Sequence, residues 1–232
     1  MKKKVLITLN IVSILIPYIG TVFFHRTASI LILLPVYFFS LLTLIVTSIW
    51  YIRIEKSKYI KRLIGFGAIV AIILYFVSYG LLLSASDYIF FKLREKRLNE
   101  FVFQIRDYGK ITEMSDAERY WKTVNFYSIE PDIAKVDTIT EVGKKYFLDE
   151  ILDKEEIDRN KYEAFTQRLI DLELVNFETL DDGTISFTIS GFLDNCIGLA
   201  YSTAGVNPGA NECGRIIHWK KVADNWYVWY TT

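Results

Sequence analysis

The sequence predicts three transmembrane α-helices followed by an α+β domain, with helices first and an antiparallel β-meander last. Three observations lead there. No ionisable residue lies between Lys4 and His25, between Arg26 and Arg53, or between Arg62 and Asp87. Apolar positions then recur at threes and fours, as on a helix. From Val175 onward the period shortens to two, as on a strand.

Each uncharged gap holds about 20 residues or more, enough to cross a hydrocarbon core of ~30 Å at ~1.5 Å per residue. The spans are placed at about 5–24, 28–52 and 63–84, within a membrane domain of residues 1–86. The first has the basic start of a signal peptide. It is long for a signal core, and its exit, Tyr18-Ile19-Gly20-Thr21-Val22-Phe23-Phe24, offers no small-x-small cleavage site, so it reads as a retained anchor. Pro17 and Pro35 should kink the first two spans, and Asn10 is placed to bond a neighbouring helix. Gly67 and Ala71, then Gly80 and Ser84, give small-xxx-small spacing, the pattern that lets another helix approach closely. Trp50, Tyr51 and Tyr59 suit one membrane interface; Tyr88, Phe90 and Phe91 suit the other. No Asp, Glu, Lys or Arg falls within a span, which argues for an anchor rather than a conduit.

Orientation follows from the basic residues. Lys2, Lys3 and Lys4 precede the first span, and Arg53, Lys56, Lys58, Lys61 and Arg62 lie between the second and third. Lys and Arg are retained on the cytoplasmic side, so both segments are expected inside and the C-terminal domain outside. Lys92, Arg94, Lys96 and Arg97 after the third span pull the other way. The expected location is the inner (cytoplasmic) membrane, with the domain extracytoplasmic.

Beyond the membrane, Leu98, Phe101, Val102 and Ile105 mark a stalk helix over 87–109, stopped near Gly109. The α+β domain follows over 110–232. Ser115-Asp116-Ala117-Glu118 reads as a capping box opening a helix with Ala117, Tyr120, Trp121 and Val124 on one face, ended by Pro131. A further helix is expected around 144–152. Another over 157–172 should bury Tyr162, Phe165, Leu169 and Leu172. The strands come next: 175–179, a turn at Asp181-Asp182-Gly183, then Ile185, Phe187 and Ile189 on one face against Thr184, Ser186, Thr188 and Ser190 on the other. Three more are expected at 196–202, 215–222 and 226–231, with a Gly/Asn/Pro-rich loop at 203–212.

The net charge of zero hides a split. Residues 1–86 hold nine Lys/Arg and one acid, a net +8, while residues 87–232 hold eighteen Lys/Arg and twenty-six Asp/Glu, a net −8. So acidic a domain repels phosphate backbones, and no nucleic acid is expected as partner. The expected partners are the lipid bilayer and another protein.

No catalytic or metal-binding residue is assigned and no cofactor is implied. The chain carries no Cys-x-x-Cys, His-Glu-x-x-His, phosphate loop or Gly-x-Ser-x-Gly. Glu155-Glu156 and Asp181-Asp182 read as solvated surface charge, and His218 as a structural strand residue. Trp219, Trp226, Tyr227, Trp229 and Tyr230 put rings on both faces of the last strands. They read either as core on one face and cover on the other, or as a partner surface. Cys196 and Cys213 are a candidate disulfide in an oxidising compartment. In a simple hairpin, however, they would begin antiparallel strands at opposite ends, leaving two buried thiols.

The run Asp194-Asn195-Cys196-Ile197-Gly198-Leu199-Ala200-Tyr201-Ser202, the Pro208 loop, Gly214-Arg215-Ile216-Ile217 and Asn225-Trp226-Tyr227 resemble the tails of small uncharacterised bacterial proteins, many Bacteroidota-like. The resemblance covers about the last 40 residues. It implies a bacterial envelope protein and carries no activity.

The function expected is a membrane-anchored, non-catalytic binding or interaction protein of the bacterial envelope, with an immunity protein against a toxin as its specific form. A subunit or sensor of a membrane complex is one alternative. An enzyme acting on lipid or cell wall at the membrane surface is another.

Overall fold

The computed structural model describes residues 2–25, 30–115, 123–125, 127–128, 148–192 and 195–232. The chain forms two compact units, Met1–Lys92 and Leu93–Thr232.

In the first unit, α1 (Lys2–Ile19) runs into a π-helical turn (Gly20–Phe24), α2 (Ile30–Ile54) follows, and α3 begins at Lys58. All three are long and apolar enough to cross a membrane. Phe66, Phe76, Val77 and Leu81 are each more than two-thirds exposed, a surface suited to hydrocarbon rather than water.

The polar residues of these helices tie α1 to α2. Pro17 has no N–H, so the carbonyl of Ser13, four residues earlier, loses its helical partner. Ser40 of α2 donates its hydroxyl to that carbonyl at 2.7 Å. Asn10 bonds the neighbouring helix as its position suggests: its side-chain oxygen accepts from Thr47 Oγ1 at 2.8 Å and Ser48 Oγ at 3.0 Å. After Pro17 the helix widens into the π turn, where Gly20 faces the Tyr37 ring so closely that a Cβ would stand 2.7 Å from it. At the far end, Lys3 pairs with Glu55 at 2.8 Å. The Lys3 hydrogen bond, with the backbone N–H groups of Ser57 and Lys56, holds the Glu55 carboxyl at about 2. Of the expected interface residues, Trp50, Tyr59 and Tyr88 are exposed, whereas Tyr51, Phe90 and Phe91 are buried.

The third span and the stalk are one helix: α3 runs from Lys58 to Tyr108. It ends where Gly109 takes φ +66°, the left-handed conformation that glycine adopts without a Cβ penalty. In the second unit, Leu98, Phe101, Val102 and Ile105 form its buried stripe. After α4 (Leu148–Lys154) comes α5 (Arg159–Leu172), which buries Tyr162, Phe165, Leu169 and Leu172. The Asp158 side chain caps α5 by accepting from the Lys161 N–H. Its C-terminal carbonyls are met by arginines: Arg94 Nε donates to Leu172 O and Arg97 to Asp171 O, each at 3.2 Å.

The sheet has nine strands among the described residues: β1 (Glu113–Ser115), β2 (Thr123–Val124), β3 (Tyr127–Ser128), β4 (Asn176–Thr179), β5 (Ile185–Phe192), β6 (Asn195–Tyr201), β7 (Ala210–Asn211), β8 (Gly214–Ala223) and β9 (Trp226–Thr231). The order is β3-β2-β1-β4-β5-β6-β9-β8-β7, and every pairing is antiparallel.

Register separates two faces. Met114, Phe177, Phe187, Leu199 and Val228 follow one another across five strands, all buried. This face takes the helices: the Phe101 ring lies 5.4 Å from Phe165, 5.5 Å from Phe177 and 5.9 Å from Phe187. Trp226 stacks on Phe187 at 5.9 Å, and its indole N–H donates to Asn99 Oδ1 at 2.9 Å. The other face carries Glu113, Glu178, Ser186 and Ala200 in one row and Ser115, Asn176, Thr188, Gly198, Trp229 and Trp219 in the next.

Two expectations need correction. The helix opened by Ser115 does not extend to Val124 as expected. Ser115 lies in β1 and Val124 in β2, paired with Met114. The Ser115 hydroxyl accepts from the Thr123 N–H across the strands at 3.0 Å. Residues 116–122, with Ala117, Tyr120 and Trp121, lie outside the described residues, as do Pro131 and the start of the helix expected at 144–152.

The second correction concerns β6 and β8, which do not form a hairpin. β9 inserts between them and is antiparallel to both, so β6 and β8 run parallel and begin at the same end. That brings Cys196 and Cys213 to a Cα separation of 6.0 Å, and they form a disulfide. Between the strands, the loop folds back across the second face of the sheet.

Candidate functional site

The second face is where the sheet departs from a simple packed layer. Strand alternation places six polar side chains inward on β1, β4 and β5: Glu113, Ser115, Asn176, Glu178, Ser186 and Thr188, all buried. Buried polar groups require partners. Glu113 accepts from Thr123 Oγ1 at 2.8 Å, and Asn176 Oδ1 accepts from the Thr188 N–H at 3.2 Å.

The crossing loop supplies other partners. The backbone N–H of Glu212 donates to both carboxylate oxygens of Glu178, each at 3.1 Å. Asn211 Nδ2 donates to Ser186 Oγ at 3.3 Å, and Asn211 Oδ1 accepts from the Cys213 N–H at 3.0 Å. The disulfide then pins the loop tip to the start of β6, where Cys196, Ala200, Ile216 and Trp229 form a small core with Cys213 and Trp219 against it. At the other end of the loop, Trp219 donates its indole N–H to Gly205 O at 3.4 Å and stacks on Tyr227 at 4.7 Å.

The electrostatics are unusual for a sheet. Glu113 and Glu178 are directly opposed across β1 and β4, two carboxyl groups on one face of the sheet. Burial pushes the Glu178 carboxyl above its ordinary range; the Glu212 N–H opposes that shift and Glu113 adds to it. Glu212 is pushed further, to about 7, first by desolvation and then by Glu178 and Glu113. Among the described residues, no three His, Cys, Asp or Glu side chains are grouped so as to hold a metal ion. What the arrangement does is hold a loop on a sheet, with a carboxylate receiving a backbone N–H.

The residues singled out from sequence are dispersed. Trp226 and Trp229 are core, one on each face of β9, while Trp219, Tyr227 and Tyr230 are half-buried. His218 is exposed on β8, its ring 4.7 Å from that of Tyr230. Glu156 pairs with Lys110 at 3.2 Å in solvent, and Asp182 accepts from the Thr184 N–H in the β4–β5 turn. Gly67 and Gly80 have open space where a Cβ would stand, while the Ala71 carbonyl accepts from the Tyr18 hydroxyl at 3.4 Å. Sequence reasoning missed the glutamate trio. Its only trace is alternation, with Glu113 beside Met114 and Glu178 beside Phe177; nothing local joins either to Glu212, which comes from the loop.

No known protein family, curated protein or solved structure matches the chain.

Proposed function

We propose that this chain is a membrane-anchored, non-catalytic binding protein whose sheet domain lies on the extracytoplasmic side. The observation that carries the reading is the Cys196–Cys213 disulfide. Such bonds persist in oxidising compartments and are rare in reducing cytosol. The distribution of Lys and Arg supports the same side. The basic residues that opposed it are accounted for in part, because Arg94 and Arg97 are engaged at the C-terminus of α5. An acidic domain with half-buried rings on its last strands favours contact with a protein partner over chemistry. In its narrowest form the reading makes the domain an immunity protein of a bacterial envelope, meeting a toxin outside the inner membrane.

A second reading, a subunit of a membrane complex, is favoured by the open positions at Gly67 and Gly80 on α3. Such positions admit a neighbouring helix.

Topology tests the main reading. Alkaline phosphatase and green fluorescent protein are fused separately after Thr232. Active phosphatase without fluorescence is expected; fluorescence without phosphatase activity sinks the extracytoplasmic assignment. Co-purification from intact membranes separates the two readings. A partner retained by the sheet domain supports the first, and one lost on Gly67→Leu supports the second.

A further inference from the structure

The three membrane helices of the first unit enclose a groove of about 290 Å³. Ser13, Ile14 and Pro17 of α1, Leu41 and Leu44 of α2, and Ile72 of α3 line its apolar length. Tyr37 and Tyr75 also line it, and Thr21 bridges them: its hydroxyl lies 3.3 Å from the Tyr37 hydroxyl and 2.9 Å from that of Tyr75.

Depth orders these residues. Thr21 is three residues from the end of the first span, a rise of ~4.5 Å. Ser13 lies eight residues further in, ~12 Å deeper, and Leu44 lies seven residues further along α2 than Tyr37, ~10 Å deeper. The polar end is therefore shallow and the apolar end deep, on the membrane face where α1 emerges.

The polar end also has a hydrogen to give. Each hydroxyl carries one hydrogen. Thr21, Tyr37 and Tyr75 share two hydrogen bonds, so one hydroxyl hydrogen has no partner among the described residues. A donor left unmade in hydrocarbon is costly, and the acceptors found near the membrane interface are lipid ester carbonyls.

We propose that the groove binds one acyl chain of a membrane glycerolipid, with an ester carbonyl of that lipid accepting the spare hydrogen of the Thr21–Tyr37–Tyr75 cluster. The size fits: an apolar cavity of ~150 Å³ holds a benzene, so one of twice that volume holds about a dozen chain carbons. A second helix is the poorer occupant. Close helix approach needs small residues, and this groove presents the rings of Tyr18, Tyr37 and Phe76; the open glycines of α3, Gly67 and Gly80, do not line it.

The test uses the full chain in phosphatidylcholine nanodiscs containing a small fraction of phosphatidylcholine with a diazirine in one acyl chain. After photolysis, label should concentrate at Ile14, Leu41 and Ile72, several-fold above the exposed, equally apolar Val77 and Leu81. Ile72→Trp fills the groove and should bring Ile14 and Leu41 down to the Val77 level, while Leu81→Trp should change nothing. Tyr37→Phe and Tyr75→Phe keep the rings, remove the donors and should lower groove labelling without altering helicity; they carry the test if Ile72→Trp does not fold. Uniform labelling, or labelling indifferent to both the filling and the hydroxyl variants, would overturn the proposal. So would crosslinking of Ile72→Cys to another protein chain in native membranes, which would identify a helix as the occupant.

Discussion

Opening the Cys196–Cys213 bridge should cost the sheet domain about 3 kcal/mol, and the figure follows from the chain between the cysteines. They are 17 residues apart, and the loop-closure entropy removed from the unfolded chain by a bridge of that span amounts to about 3 kcal/mol at 25 °C. Spread over the 140 residues of Leu93–Thr232, at ~2.1 cal/mol/K per residue, that cost lowers the melting temperature by about 10 °C. The loss should also be local in character. Without the bridge, the crossing loop is held to β4 and β5 by the Glu212–Glu178 and Asn211–Ser186 hydrogen bonds, each worth about 1 kcal/mol. The assay is thermal unfolding of the full chain in detergent, followed by tryptophan fluorescence, because Trp219, Trp226 and Trp229 all lie in this sheet. Wild-type protein with and without reductant is compared with the Cys196→Ala/Cys213→Ala double variant. Reductant should lower the wild-type transition and leave the double variant unmoved, and limited proteolysis should then cut within 203–212. A wild-type transition indifferent to reductant, with two thiols already titratable in the unreduced protein, would refute the bridge and the compartment inferred from it.

Three further outcomes are expected. Gly198→Ala places a methyl group against the Phe187 carbonyl and the Trp229 indole on the second face; overpacking of this kind costs about 1–3 kcal/mol or more, read in the same unfolding assay, and a neutral substitution would mean that β5, β6 and β9 are less closely packed than described. Ser40→Ala strands the Ser13 carbonyl that Pro17 leaves open, costing on the order of 1–2 kcal/mol in resistance to denaturation in detergent; the same change in a Pro17→Ala background should cost less, because residue 17 then supplies the missing N–H. Glu212 has its pKa raised from 4.5 to about 7, so its contribution to stability is fully present below pH ~4.5 and lost as pH rises through ~7. Because the residue is exposed to solvent, the effect should be about 1 kcal/mol or less. Glu212→Gln should flatten the stability profile of the sheet domain between pH 5 and 8 and raise it at pH 8; a profile identical to wild type would show that Glu212 titrates as a free carboxyl.

Much of this molecule was legible in the order of its residues, and the particular elements show which kinds of information are local. Hydrocarbon length marked the three helices, because every backbone group in a bilayer must be satisfied within its own segment. The stripes Leu98-Phe101-Val102-Ile105 and Tyr162-Phe165-Leu169-Leu172 marked helix faces, and both are buried as their spacing required. Alternation around Ile185–Phe192 marked the strand and its two faces. The helix expected from Ser115 stops short of Val124, because an apolar residue that suits a helix face suits a strand equally well, and Val124 pairs with Met114 in the sheet.

The remaining features belong to strand order. A sequence read along its length pairs neighbours with neighbours, so β6 and β8 were expected as a hairpin and their cysteines at opposite ends. The tertiary structure instead inserts β9 between them, making them parallel and bringing both cysteines to one end. The same insertion carries the loop over the second face, where Glu212 meets Glu178 and Glu113 from strands far away in sequence. Patterns of hydropathy and charge determined which segments are helices, which are strands, and which faces are apolar, because those preferences act over a few residues. Which strand lies beside which, and therefore the disulfide, the glutamate trio and the lipid-sized groove between helices, was decided by packing, where residues distant in the chain compete for the same space.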